Sequence, residues 1–108
     1  MLEKVKLALR ISHNYLDSDI YDTINTARAE MIRAGVAENI ANSSADVVEM
    51  AIKTYCLFVY ANDTKLSEGY FNSWQYQLDN IRKSTTIVIS EPLLPNNDLE
   101  PNNDLAPQ

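Results

Sequence analysis

Residues 1–91 contain no proline; all four prolines (Pro92, Pro95, Pro101 and Pro107) stand beyond that point. The same 91 residues hold only two glycines, Gly35 and Gly69. Proline breaks helix interiors and central strands, and glycine supplies the left-handed conformations that tight turns need. A many-stranded sheet would need turn signals far more often than this. The pattern predicts a few long helices followed by a C-terminal segment of different character. The 108 residues are one domain's worth of chain. The fold class expected is all-α: a small bundle of about four helices, with a C-terminal extended strand and a disordered acidic tail. The boundary falls near residue 84, giving a helical domain over 1–84 and the strand and tail over 85–108.

Apolar spacing places the helices. Leu2, Val5 and Leu9 recur at helical intervals over about residues 2–10, with Glu3, Lys4 and Lys6 off that face. A second helix is expected to start near Asp17 or Ser18, either of which can cap free amides. Asp17, Asp19 and Asp22 suit the positive end of its dipole. Its stripe is Ile20, Ile24, Ala27 and Met31, and Gly35 followed by Val36 fits a left-handed stop. Residues 37–43 read as a loop. A third helix follows Ser43 or Ser44, with Val48, Ile52, Tyr55 and Val59 on its main face. It turns apolar all round over residues 55–61 and ends at Asn62 and Asp63. A fourth is expected over about residues 70–83, with Phe71, Trp74, Leu78 and Ile81 in register.

The period then changes. Thr85, Thr86, Ile87, Val88 and Ile89 are β-branched and read as a strand. No other segment offers it a partner, so pairing with another chain is one expected fate and solvation the other. Beyond it, the six residues from Pro95 (PNNDLE) recur from Pro101 as PNNDLA, too few copies for a solenoid. Of the net charge of −6, Glu91, Asp98, Glu100 and Asp104 supply four acids without a base. The remaining 11 acids and 9 bases nearly balance.

Composition excludes several classes of function. One cysteine, Cys56, forms no internal disulfide, and one histidine, His13, is poor material for zinc. The longest apolar run is far short of a bilayer span, the first residues lack the apolar stretch of a secretory signal, and a reducing compartment is expected. Scattered basic residues on an acidic chain argue against non-specific nucleic-acid binding. Cys56 lies mid-helix among apolar residues and reads as core; His13 reads as a polar loop residue. The aspartates near residue 20 lack the glycine and closing glutamate of a calcium loop. The chain is read as no enzyme, with no catalytic, metal or cofactor site. Tyr60, Tyr70 and Tyr76 flank the apolar stripes and are candidates for a binding surface.

The layout resembles a known family. A short helix ending in Leu9, Arg10 and Ile11, an acidic helix start from Asp17 to Asp22, and Ile24, Ala27 and Arg28 behind it are similar to the head–tail connector (adaptor) proteins of tailed bacteriophages and prophages. So are Val48, Ala51, Ile52 and Tyr55 leading into Val59, Tyr60, Ala61 and Asn62, a Tyr-x-Asn element, and the closing Leu78, Ile81 and Arg82. The resemblance covers about residues 1–83. It implies a structural virion protein in the neck, assembled in the host cytoplasm. Its subunits form a homo-oligomeric ring, usually a dodecamer, beneath the portal protein.

Such a ring extends the DNA channel and provides the platform for a tail or tail-completion protein, with no cofactor and no membrane. Thr85, Thr86, Ile87, Val88, Ile89, Tyr60, Tyr70 and Tyr76 become candidates for the oligomer or portal interface. Glu30, Glu38, Asp63 and Glu68 become candidates for the channel wall, where acids repel passing DNA. The alternative reading is a small helical DNA-binding or regulatory module. It requires a basic recognition helix, which none of the four supplies.

Overall fold

The computed structural model describes residues 1–83, which form five helices: α1 (Leu2–Leu9), α2 (Asp17–Arg33), α3 (Glu38–Ala41), α4 (Asp46–Tyr60) and α5 (Thr64–Lys83). No strand occurs among the described residues, and the strand and tail expected over 85–108 lie outside them. The α4 helix is the hub, packed by α1, α2 and α5. Ile20, Ile24, Ala27 and Met31 of α2 and Val48, Ala51, Ile52 and Cys56 of α4 form the centre of the core. Trp74, Leu78 and Ile81 of α5 complete it. Each large side chain buried there contributes about 1.5–3 kcal/mol.

Two helices stop in the same way. After α2, Gly35 takes φ 107°. The Val36 N–H donates to the Met31 carbonyl at 2.9 Å and the Gly35 N–H to that of Ile32 at 3.0 Å. This is the expected left-handed stop, with Val36 buried as its clasp. After α1 the same bonds run from Ile11 N–H to Lys6 O and from Arg10 N–H to Leu7 O. Here Arg10 occupies the left-handed position at φ 60°, the one non-glycine residue with positive φ among those described.

Four expectations need correction. Residues 37–43 are not all loop: α3 buries Ile40 and Ala41, whose spacing from Val36 continues the apolar register. The last helix starts at Thr64, six residues before the expected start, because Asp63 caps it. The Asp63 carboxylate accepts the Lys65 N–H at 3.1 Å and its carbonyl the Ser67 N–H at 2.9 Å. Gly69 is therefore a helix-interior residue with open space around it. Asp17 and Ser18 do not cap α2, which has no side-chain cap. Lys6 and Val59 exchange expectations: Lys6 is 5 % exposed, and Val59, read as core, is 44 % exposed.

Lys6 is inside because it is paired there. Its Nζ lies 2.8 Å from Asp17 Oδ1 and donates to Asn14 Oδ1 at 2.9 Å. One lysine thus ties α1 to the loop before α2 and to that helix's first residue.

Candidate assembly surfaces

The residues that carry the family resemblance hold the bundle together. Arg28 reaches from α2 to donate to the carbonyls of Ala41 at 2.8 Å and Ser43 at 3.0 Å, fastening α3 and the turn into α4. Arg82 donates to the Ala34 carbonyl at 2.8 Å, closing α5 onto the end of α2, and to Asp79 at 2.9 Å. The Tyr60 hydroxyl donates to Asp19 Oδ2 at 3.2 Å and lies 3.3 Å from Thr23 Oγ1, joining the end of α4 to the start of α2. Burial, first, raises that phenol above its ordinary pKa.

These ties orient the helices. The end of α4 lies beside the start of α2, and the Lys4–Glu49 pair at 2.6 Å sets the start of α1 beside the first half of α4. Lys6, two residues further along α1, pairs with Asp17 at the start of α2, so α1 runs broadly with α4 and α2 runs against it. On α5, contacts from Phe71 to Phe58 (ring centroids 5.1 Å apart) and from Trp74 to Tyr55 (4.8 Å) fix that antiparallel register. The Lys4 hydrogen bond holds the Glu49 carboxyl below the usual carboxylate range.

The interface candidates are scattered. Thr85, Thr86, Ile87, Val88 and Ile89 lie outside the described residues. Tyr60 and Tyr70 are half-buried, and Tyr76 is 70 % exposed. The four candidate channel acids divide between two ends. Glu30 pairs with Arg33 at 2.6 Å, and Glu38 is exposed on α3, both at the far end of α2. Asp63, spent partly as a cap, and the exposed Glu68 stand at the α4–α5 turn.

Sequence reasoning missed the exposed apolar side chains. Leu7 of α1 is 79 % exposed, with Tyr15 and Tyr21 exposed beyond it. Val47 and Met50 of α4 and Leu66 and Phe71 of α5 are exposed on other parts of the bundle. Phe58, Ser67, Glu68, Phe71 and Asn72 line a groove near the α4–α5 turn, and Leu7 and Arg10 border another at the end of α1. The available signal was Leu7 standing off the Leu2–Val5–Leu9 stripe. For Phe71 the aromatic side chain was itself a signal of a contact surface, but its spacing matches that of the buried Trp74 and fits core packing as well.

Catalytic chemistry finds little support in these positions. Cys56 is fully buried, and burial pushes its thiol pKa up to about 12, so it stays protonated. His13 is exposed; its Nδ1 accepts the Tyr15 N–H at 3.3 Å. Among the described residues no three His, Cys, Asp or Glu side chains gather as a metal site, and no helix is long and apolar enough to cross a membrane.

No curated protein and no solved structure matches the chain. A family model described as "Phage connector protein" matches residues 1–88, which takes in all five helices. That match covers most of the chain, and the chain belongs to the phage connector family, structural and non-catalytic proteins of the head–tail connection.

Proposed function

We propose that copies of this chain form a closed ring beneath the portal protein of a phage head, extend its DNA channel and present the platform on which a tail or tail-completion protein docks. The observation that carries this reading is the connector family match across residues 1–88. The apolar side chains left exposed on more than one part of the bundle support it, since a ring subunit needs two different faces to meet its two neighbours. The chain works in the neck of the virion and is in the host cytoplasm during assembly.

Within this reading, Thr85, Thr86, Ile87, Val88 and Ile89 pair by strand addition with the portal or a neighbour. Tyr70 and Tyr76 add contact area there, while Tyr60 acts chiefly inside its own subunit. Exposed acids such as Glu38 and Asp63 face the lumen and repel DNA phosphate, so DNA passes without specific binding.

Electron microscopy of the purified chain, alone and mixed with portal-bearing particles, tests the proposal. Ring density below the portal is expected. A chain that stays monomeric and never joins those particles contradicts it.

A further inference from the structure

Resting on the ring reading, we infer that the neighbour is gripped through one specific contact: Leu7 and Arg10 at the end of α1 of one copy against Phe71 and Glu68 near the start of α5 of the next.

The two patches match in chemistry. Leu7 is 79 % exposed, and Phe71 opens onto the groove that Phe58, Ser67 and Asn72 line with it. Arg10 and Glu68 are exposed, and neither makes an ion pair among the described residues. Each patch therefore pairs one apolar side chain with one free charge, and the charges are opposite. Burying an exposed leucine in an aromatic groove supplies association energy, and the charge pair selects partner and register.

They also match in spacing and direction. Glu68 and Phe71 are three residues apart within α5, about one helical turn, and Arg10 stands at the left-handed residue that ends α1, three residues beyond Leu7. The order along the chain is apolar then charged on α1, and charged then apolar on α5. The two therefore pair only if the helices meet antiparallel, Leu7 on Phe71 and Arg10 on Glu68. Within one subunit α1 runs with α4, as the Lys4–Glu49 and Lys6–Asp17 pairs set it, and α5 runs against α4. Rotation about an axis along the bundle keeps those senses, so the α1 of one copy meets the α5 of its neighbour antiparallel. The end of α1 and the start of α5 also lie at the same end of the bundle. Lys6 is paired with the start of α2, which Tyr60 ties to the α4–α5 turn. A lateral neighbour needs that equal height. The patches differ from each other, so the contact is head-to-tail and can close a ring.

Arg10 gives independent support. It holds a left-handed backbone that glycine adopts without strain. A long charged side chain kept at such a position suggests a use for the side chain.

Charge reversal tests the contact. Arg10→Glu and Glu68→Arg should each raise the concentration for half-maximal ring formation on portal-bearing particles by about tenfold or more, with unchanged helix content by circular dichroism. The double variant, and an equimolar mixture of the two single variants, should return to within about threefold of the original chain. In the mixture the two variants would alternate around the ring. Single variants that assemble like the original chain overturn the inference, as do defective singles whose double variant and mixture stay defective. Should the original chain form no ring at all, it is the ring reading that falls.

Discussion

At the scale of residues, Lys6 shows how far a single side chain can depart from its sequence pattern. Its place on α1 puts it off the Leu2–Val5–Leu9 stripe, yet it is as buried as core, because Asp17 and Asn14 wait across the intervening loop. Removing the ammonium leaves those acceptors without their donor. Lys6→Met keeps the length of the side chain and should destabilise the fold by about 1–3 kcal/mol in urea titration, with little loss of helix content in water. An unchanged midpoint would mean that the pair contributes nothing. Such a role is illegible in one dimension. The helical period names the stripe, but only the path of residues 10–16 brings the three partners together. By contrast, Cys56 and Gly35 were legible, one from its apolar surroundings and the other from a left-handed stop followed by an apolar clasp.

At the scale of elements, α2 follows its sequence closely: the stripe from Ile20 to Met31 is buried and the helix ends where Gly35 permits. The α5 helix departs because Gly69 carries two meanings. Glycine reads as a stop, but one glycine costs a helix interior only about 1 kcal/mol relative to alanine. The cap at Asp63 and the burial of Trp74, Leu78 and Ile81 outweigh that cost. A Cβ at position 69 meets nothing within 4 Å, so Gly69→Ala should stabilise the chain by about 0.5–1 kcal/mol, read as a raised thermal midpoint. A lowered midpoint would contradict the account of α5 as a continuous helix with free space at that position. The short α3 was missed for a related reason: four residues give too little period to recognise, and tertiary burial of Ile40 and Ala41 decides their conformation.

At the scale of the whole molecule, the helix faces and the family were legible, whereas the assembly surfaces were not. Arg28, Tyr60 and Arg82, among the residues that carry the resemblance, each tie two elements together. The surfaces proposed to meet a neighbour are defined by what the bundle leaves uncovered. That depends on how α1 and α5 sit about α4, which no single stretch of sequence states. Tyr60 illustrates the difference: its place beside a stripe suggested a surface, and the fold uses its hydroxyl internally. The segment from Thr85 to Ile89 keeps its proposed part in docking.

The connector is proposed to act as a closed ring on the portal. The most direct measurement is the native mass of the complex between the full chain and purified portal rings. A closed ring gives one dominant species that carries a fixed number of chains, many per portal ring. A portal that binds none, or a broad ladder starting from single chains without a preferred closed number, would contradict it.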